Sequence, residues 1–290
     1  MKRHLGFWIL ILCGLPGAAS AAAFEAMMVG ARPVGMGGAF VAVADDGLAA
    51  HYNPAGLANL KMRRIDSAYS DLYNLGLLKR NYMSYAHPKL GRAGAAISWN
   101  GLATSQKVTF IDYSENAYGF SVGFPVYRGL AVGSTLKYYW VNYDKKATGY
   151  GFDLGVMLRF MMDYRFGVML RNASHPKIRW ATGAIDYLPI TWEMGLAADV
   201  GRHTLVSIQW DRQADNNDRS LFRVGGEYWL TERRASTRLG VRAGAVRHPM
   251  NKWAFTGGLS AVLKGFEAVY GLQFHYNLDE EHTFSLNWAF

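Results

Sequence analysis

The residues that could support nucleophilic or acid–base chemistry in this 290-residue chain do not form a catalytic set. Ser285 and His282 lie close in sequence, but they have opposite parity, and a β-strand directs such residues to opposite faces. The segment Gly35-Met-Gly-Gly-Ala-Phe40 lacks the Lys-Ser/Thr pair that a phosphate-binding loop requires. His275 fits a hydrogen-bonded interior histidine better than a catalyst. The sequence therefore predicts that the protein is not an enzyme and needs no cofactor.

The segment Asp279-Glu-Glu-His282 carries carboxylates and an imidazole that could together hold a divalent cation. It stands just before the last apolar–polar alternating segment of the chain, where a solvated loop accounts for the same charges. We therefore predict no metal site.

The N-terminus carries the pattern of an export signal. Lys2 and Arg3 precede an apolar run over 5–12, and Ala19-Ser-Ala21 and Ala21-Ala-Ala23 are both small-x-small cleavage candidates. This arrangement is typical of a secretory signal peptide, because the apolar run is too short to span a membrane. We assign 1–23 to a cleaved signal peptide, whose removal also takes away the one cysteine of the chain, Cys13.

The composition excludes several protein classes. Aromatic residues make up 14% of the chain and charged residues only 18%, which argues against intrinsic disorder. No stretch of about 18 apolar residues follows the signal, so the sequence predicts no membrane-spanning helix. The mean hydropathy is nevertheless −0.04, which indicates that apolar and polar residues alternate.

Alternation with a period of two runs through most of the chain. In the last segment, Phe284, Leu286 and Trp288 share one parity, while the residues between them are small or polar. Such strands form either a soluble sandwich or a transmembrane barrel whose apolar face meets lipid. Glycines are frequent and lysines rare on the polar parity, and tryptophans recur near segment ends, as in the aromatic girdles of membrane barrels. The predicted fold class is all-β, a transmembrane antiparallel β-barrel over 63–290.

Fourteen segments, from 64–72 to 282–290, alternate in this way and are long enough for tilted membrane strands. An even number of strands is typical of a single-chain bacterial barrel. Short turns alternate with longer connections such as 101–116 and 173–189, which places the long loops outside the cell and both chain ends in the periplasm. The first two segments alternate weakly, so a count of twelve stays open.

The inward parity carries charges of both signs. The candidates for lining the lumen are Lys137, Asp153, Glu193, Glu227, Arg242, Glu267 and His275. A pore selective for ions of one sign would carry a one-sided ring, whereas balanced charge predicts internal ion pairs or a lumen partly filled by protein. A water-filled lumen with scattered charges is the alternative. Glycines that recur on this parity would leave room for a plug.

Residues 24–62 precede the first strand and do not alternate. They are rich in small residues, with three glycines close together: Gly35, Gly37 and Gly38. Asp45 or Asp46 could cap a short helix over 48–52. Asn53-Pro54 would end that helix, because the residue before proline avoids the helical region. This segment is the candidate plug.

Part of residues 24–62 resembles a segment of a known protein family. The run Gly-Ala-Arg-Pro-Val-Gly-Met-Gly-Gly-Ala-Phe-Val-Ala-Val-Ala-Asp-Asp over 30–46, with Asn-Pro-Ala-Gly-Leu over 53–57, resembles the N-terminal hatch of the FadL superfamily of long-chain fatty acid transporters. It looks closest to the shorter PorV/PorQ-like branch. The matching hatch residues are Gly35, Gly37, Gly38, Asp45, Asp46, Asn53, Pro54 and Ala55. The resemblance implies a fourteen-stranded barrel with a lumen-blocking hatch over 24–62, a hydrophobic ligand near it, and a kinked strand that opens a lateral route.

The resemblance implies two functions. The first is passive uptake or passage of hydrophobic small molecules across the outer membrane. The alternative is a secretion-associated or structural role of the PorV/PorQ type, in which the barrel binds secretion-system proteins.

The remaining expectations concern the membrane and its machinery. Phe284, Trp288 and Phe290 resemble the terminal signal that the outer-membrane barrel assembly machinery recognises. Basic residues of the outer loops, including Lys145 and Lys146, are expected to meet the anionic phosphates of lipopolysaccharide. We therefore expect the protein in the outer membrane of a Gram-negative cell, in contact with its lipid and lipopolysaccharide. The net charge of +9, which falls to +7 when Lys2 and Arg3 leave with the signal peptide, fits these anionic surfaces, and we predict no nucleic-acid partner.

Overall fold

A closed barrel of fourteen antiparallel strands forms the body of the protein. The computed structural model of the chain describes residue 24 and residues 27–105, 112–214, 220–231, 236–249, 252–275 and 279–290, and the predicted signal peptide 1–23 lies outside them. No helix within these ranges is long and apolar enough to cross a membrane.

The barrel strands follow the predicted segments closely. In chain order they are β1 (Arg64–Leu72), β2 (Leu78–Leu90), β3 (Ala93–Thr104), β4 (Ser114–Tyr127), β5 (Leu130–Asn142), β6 (Ala147–Phe160), β7 (Tyr164–Arg171), β10 (Thr191–Val200), β11 (Thr204–Gln213), β12 (Ser220–Trp229), β13 (Thr237–His248), β14 (Lys252–Leu263), β15 (Phe266–Phe274) and β16 (Glu281–Ala289). Two short strands, β8 (Lys177–Trp180) and β9 (Ile185–Tyr187), form a hairpin in the connection between β7 and β10.

Each barrel strand pairs with its neighbours in chain order, and β1 pairs with β16 to close the barrel, with Tyr69 opposite Phe284. Closure satisfies the backbone N–H and C=O groups that an open sheet edge would expose to lipid. The prediction of fourteen strands is confirmed. The alternative count of twelve is wrong, because β1 and β2 are paired over the whole of β1 despite their weak alternation.

The two faces of the barrel wall differ in chemistry. On β16, Phe284 and Leu286 point outward and are 54% and 62% exposed, whereas Thr283 and Ser285 point inward and are buried. The same division holds around the barrel, so the outer surface is a belt of large apolar side chains. A surface of this kind is costly in water and suits contact with lipid.

The two ends of the barrel also differ. At the end where β1 begins, here called the turn end, most connections are short, and Lys264-Gly265 has the positive φ angles, 48° and 91°, of a tight hairpin. At the opposite end, the loop end, one connection contains the β8–β9 hairpin. The backbones of Arg63 and Phe290 hydrogen-bond to each other, so the barrel starts and finishes at the turn end.

Residues 27–62, here called the N-terminal segment, lie inside the barrel up to Leu60, and Lys61 and Met62 are exposed where the segment joins β1. The segment forms α1 (Ala31–Gly35), α2 (Ala49–Tyr52) and a 3-10 helix (Pro54–Asn59), and most of its residues are buried. Asp46 does not cap α2 directly, because the N-cap is Leu48, whose own N–H donates to the Asp46 carboxylate at 3.0 Å. The helix ends before Asn53 as predicted, since that residue is extended (φ −164°, ψ 102°).

Candidate functional site

The wall of the barrel touches the N-terminal segment through rows of glycines. One row crosses β3 to β6, where Gly94, Gly123, Gly133 and Gly155 stand opposite one another. A Cβ atom at Gly94 would lie 2.0 Å from the carbonyl oxygen of Leu57, and one at Gly133 would lie 2.4 Å from the nitrogen of Ala55. The segment therefore packs backbone against backbone, at a distance that only glycine permits.

Further glycine pairs continue this contact on the other side of the barrel. Three cross-strand pairs are involved: Gly167 with Gly195, Gly225 with Gly244, and Gly258 with Gly271. A Cβ atom at Gly225 would lie 2.2 Å from the Met36 carbonyl oxygen. Gly119 and Gly240 also face inward, but a Cβ atom at either position would meet only residues of the wall.

The glycines predicted for the hatch motif face this wall from the segment. Gly37 and Gly38 have positive φ angles of 62° and 74°, which favour glycine, and Gly35 stands 3.2 Å from a Cβ position on Gly258. A Cβ atom at Gly37 would lie 2.9 Å from the backbone of β12 and β13. Both the conformation and the space therefore exclude a side chain there.

Asn53 links the segment to the wall. Its fully buried amide donates to the carbonyl oxygens of Val41, within the segment at 2.9 Å, and Val156, on β6 at 3.0 Å. Its side-chain oxygen accepts from the N–H of Ala55 at 3.1 Å. Pro54 follows at the start of the 3-10 helix, with its carbonyl oxygen against Gly123. These three residues, Asn53, Pro54 and Ala55, thus join the segment to β4, β5 and β6.

Replacing Asn53 should loosen this junction. We expect Asn53→Ala to cost about 1–3 kcal/mol, because buried partners lose their hydrogen bonds. Asn53→Asp should cost at least as much, since a carboxylate cannot donate to the two carbonyl oxygens. The measurement is chymotrypsin cleavage of the folded barrel at Phe40 and Tyr52, which are buried in the intact segment. Asn59→Ala is the control, because Asn59 is exposed; equal cleavage of all variants would contradict the assignment.

A buried ionic cluster forms a second link. Arg32, the one cation in residues 24–60, donates from Nε to Glu227 on β12 at 2.9 Å and from one terminal nitrogen to Asp45 and Asp46 at 2.6 and 2.7 Å. Arg242 on β13 donates to the same Glu227 oxygen at 2.8 Å. One glutamate of the wall therefore holds two guanidinium groups, one of which belongs to the segment.

The two aspartates of the motif complete this cluster. Asp45 also approaches Arg165 on β7, at 3.4 Å. Burial raises the pKa of Asp46 to about 6, and the opposing attraction of Arg32 does not cancel this effect. At neutral pH Asp46 is therefore ionised beside Arg32, and acidification through about pH 6 would remove its charge.

The other predicted lumen residues form ion pairs inside the wall. Lys137 pairs with Asp153, Arg171 with Glu193 at 2.6 Å, and Arg242 also approaches Glu267 at 3.6 Å. This arrangement confirms the predicted internal ion pairs. The described inner face thus carries charges of both signs, joined in pairs.

A cavity of about 420 Å³ lies between the N-terminal segment and the loop end. Its size is typical of small-molecule pockets. Apolar surface comes mainly from Met27, Met28, Leu221, Val246 and Pro249, and polar groups come from ion pairs such as Arg171–Glu193 and Arg223–Asp211. We call it the outer cavity. It can hold a small molecule against both an apolar and a polar wall.

His275 borders the outer cavity near the loop end. Its ring stacks edge-on against Tyr73 with centroids 5.1 Å apart, and its Nε2 lies 3.8 Å from a Glu281 oxygen. Nothing in the described part of the chain gives it a nucleophile to activate. The histidine thus has the interior position that the sequence indicated.

A smaller cavity of about 60 Å³ lies beside β3, β4 and β5. We call it the side cavity. Met27, His51 and Arg171 border both cavities and separate them. Burial, and then the charge of Arg171, hold the pKa of His51 well below its usual value, so the imidazole of His51 is neutral at physiological pH.

The chain also contains a Gly-x-Ser-x-Gly sequence, Gly119-Phe-Ser-Val-Gly123, that the sequence analysis missed. In hydrolases this pattern forms a strand–turn–helix elbow that exposes the serine. Here it lies within β4, where Ser121 is fully buried and shares a hydrogen bond of 2.8 Å with Thr135. The pattern is therefore part of the wall and offers no exposed nucleophile.

No described group of three or more His, Cys, Asp or Glu residues could hold a metal ion. In the 279–282 segment, His282 instead hydrogen-bonds the hydroxyl of Tyr270 at 2.6 Å.

A lateral route of the kind implied by the resemblance would need a break in the hydrogen bonding between neighbouring strands such as β2, β3 and β4. β3 pairs without interruption with β4 from Gly94 to Ala103, and its pairing with β2 is irregular only between His87 and Leu90, at the turn end. Strands β2, β3 and β4 therefore leave no break in their ladders at mid-height.

The three terminal aromatic residues lie on the outer surface, but only Trp288 and Phe290 lie at the turn end, because Phe284 is closer to the start of β16. Trp288 stacks on Phe266 and Phe290 with centroids 5.2 and 4.3 Å apart. At the turn end these stacked rings form part of the aromatic boundary of the apolar belt.

Sequence reasoning missed several residues of the interior. Arg32 was detectable, because it is a lone cation near two aspartates in a segment otherwise made of small residues. Trp229 was harder to assign to the interior. Its position in the alternating pattern is inward, but tryptophan is a residue type expected to face lipid. Its ring lies under the guanidinium groups of Arg238 and Arg242, and its Nε1 donates to Glu227 at 2.8 Å.

The barrel is similar to solved structures of hydrocarbon transporters. The toluene transporter TbuX of Ralstonia pickettii matches with a TM-score of 0.65 and 14% identity, over 90% of this chain and 98% of that chain. The toluene transporter TodX of Pseudomonas putida matches with a TM-score of 0.67 and 11% identity, over 90% and 98%. A FadL homologue of Pseudomonas aeruginosa matches with a TM-score of 0.61 and 12% identity, over 93% and 99%. No protein-family model and no curated protein matches the chain.

At these identities the likeness concerns the fold. The three structures give no support to the PorV/PorQ-like branch that the motif suggested. The chain has the barrel fold that these FadL-type transporters share.

Proposed function

We propose that the protein is an outer-membrane barrel for the uptake of small hydrophobic molecules, and that residues 24–62 act as its hatch. The observation that carries this proposal is the position of the N-terminal segment, which fills the barrel and leaves the outer cavity on the side of the loops. A cavity that ends on a plug can bind a molecule before letting it pass. The fold is shared with two toluene transporters, which supports a small apolar ligand.

The apolar outer surface of the barrel supports a location in the outer membrane. The apolar belt would meet lipid, and an N-terminal signal would deliver the chain across the inner membrane. The loop end, with Lys145 and Lys146, would then face outside and meet lipopolysaccharide. Phe290 would reach the assembly machinery from the turn end.

Passage requires movement of the segment in this proposal. A ligand in the outer cavity would rest on Met27 and Met28 and face a segment held by Asn53 and Arg32. Because the ladder of β2, β3 and β4 is continuous, displacement of the segment is the simplest way to open a path.

A reversible tether between segment and wall tests this step. A Cβ atom at Gly195 would lie 3.6 Å from the Cβ of Ala42, which is within the range that a disulfide bridges. It would also lie 2.7 Å from Cγ1 of Val41 and 2.9 Å from the carbonyl oxygen of Ile208, so the single Gly195→Cys variant measures the effect of this crowding. The chain has no cysteine after Cys13, so Ala42→Cys with Gly195→Cys introduces a single pair. We expect the oxidised pair to abolish uptake of radiolabelled toluene by cells with an intact lipopolysaccharide layer, and reduction to restore it.

The two single cysteine variants are the controls, because each perturbs the packing without linking the elements. Deletion of 24–60 provides the converse test and should raise nonspecific permeability to small sugars. Uptake by the oxidised double variant equal to that of the reduced one would contradict a moving hatch. Wild-type uptake no faster than that of cells without the protein would contradict transport itself.

A further inference from the structure

We propose that export cleaves the chain between Ala23 and Phe24, and that the new α-ammonium group of Phe24 binds Glu115 inside the barrel. This inference concerns processing and anchoring of the chain, and it holds whether or not the barrel transports a ligand.

The contact is present in the structure. The backbone nitrogen of Phe24 lies 2.6 Å from Oε2 of Glu115, a buried residue on the inward face of β4 near the loop end. The other oxygen of the same carboxylate accepts a hydrogen bond from the hydroxyl of Tyr113. The carboxylate is therefore oriented toward the nitrogen by a second group.

The side chain of Phe24 is anchored as well. Its ring packs against Tyr139 with centroids 4.7 Å apart, next to a buried cluster formed by Tyr139, Val141, Ala147, Ile178 and Leu188. The phenyl group thus fills an apolar site while the nitrogen beside it meets a carboxylate. Such a pair of contacts recognises an N-terminal phenylalanine.

The backbone conformation of Phe24 favours cleavage of the Ala23–Phe24 peptide bond. Its φ angle of 61° belongs to the left-handed region, which is unfavourable for a bulky residue in the middle of a chain. Hydrolysis of the Ala23–Phe24 peptide bond adds the hydroxyl of water to the carbonyl carbon of Ala23 and a proton to the nitrogen of Phe24. The first residue of a chain has no φ torsion, so this strain ends with cleavage.

Cleavage also strengthens the contact with Glu115. Before hydrolysis the nitrogen is a neutral amide with one hydrogen, whereas afterwards it takes up a proton and becomes an ammonium. A neutral hydrogen bond thereby becomes a charge-assisted one, which is shorter and roughly twice as strong.

The geometry also distinguishes the two cleavage sites that the sequence offers. Cleavage after Ala21 would leave Ala22 as the first residue and keep an amide at Phe24. Cleavage after Ala23 places the charge on the atom that already faces Glu115.

The test starts with the protein purified from the outer membrane. N-terminal sequencing is expected to begin at Phe24. The α-amine is then reductively methylated at pH 8, and the N-terminal peptide is followed by mass spectrometry. An ion pair of this kind raises the pKa of an α-amine by roughly one unit, which at pH 8 lowers the fraction of free amine about fivefold, so Glu115→Gln should react about fivefold faster than the wild type.

Two further variants make the result decisive. Glu280→Gln removes an exposed carboxylate of the outer loop and should leave the rate unchanged. A variant with one extra alanine before Phe24 keeps the α-ammonium charge but displaces it from Glu115. Its α-amine should be methylated as fast as that of Glu115→Gln. This variant provides the comparison if Glu115→Gln does not fold. A mature N-terminus at Ala22 would overturn the proposal, and so would equal methylation rates in the wild type and the displaced or Glu115→Gln variant.

Discussion

Gly225→Ala is expected to expel part of the N-terminal segment from the barrel, while Gly226→Ala leaves it in place. A Cβ atom at Gly225 would lie 2.2 Å from the carbonyl oxygen of Met36 and 2.7 Å from its carbonyl carbon, both of which are backbone atoms. At Gly226 the nearest atom would be 3.7 Å away, because this position faces outward. The two variants differ by one position in the same strand and add the same methyl group.

We expect Gly225→Ala to cost about 1–3 kcal/mol, the usual range for an added methylene in a packed interior. The segment can relieve the clash by leaving the wall, whereas β12 is held by β11 and β13 on either side. Chymotrypsin cleavage at Phe40 should therefore rise, and the outer cavity should become continuous with the turn end, with sugar leakage as a second readout. Protection of Phe40 in both variants would show that the glycine rows are not needed for packing.

Glu227→Gln is expected to give the largest loss of stability of any single change in the interior. The carboxylate accepts from Arg32, Arg242 and Trp229, and its side chain is fully buried. Removing one partner of a buried ion pair costs about 3–5 kcal/mol, because the remaining charges stay out of water. Here the loss would affect both the wall and the segment. The measurement is the urea midpoint of the barrel in detergent micelles.

A double variant separates the tether from general damage. Arg32→Met together with Glu227→Gln removes a charge of each sign, and Arg242 keeps Glu267 as a neighbour. We expect the double variant to be less destabilised than the sum of the single variants, which is the signature of a direct interaction. Glu280→Gln, at an exposed pair with His282, should change stability by no more than about 0.5 kcal/mol. Additive effects would show that Arg32 and Glu227 act independently.

Much of the wall was predictable from local patterns. Alternation of apolar and polar residues located all fourteen strands and assigned Lys137, Asp153 and Glu193 to the inner face. The same logic worked because a strand places successive side chains on opposite faces, so period and parity are properties of the chain alone. Weak alternation in β1 and β2 left the count open, since their pairing comes from neighbouring strands.

The interior could be predicted only in part. The motif that resembles a hatch, with Asp45, Asp46 and Asn53, indicated a segment distinct from the barrel. It did not show that Asn53 would reach Val156, more than one hundred residues away. Trp229 was assigned no interior role although its parity is inward, because its partners, Arg238 and Arg242, come from the neighbouring strand β13.

The order of the amino acids was enough to establish the class of fold, the number of strands to within two, and the balance of charge on the inner face, because these depend on spacing along the chain. Which arginine meets which carboxylate, which glycine meets which carbonyl, and where Phe24 comes to lie depend on contacts between residues far apart in sequence. Closure of the barrel brings Arg32 to Glu227 and Phe24 to Glu115. Contacts of that kind follow from strand register and from the path of the segment through the barrel, neither of which has a local signature.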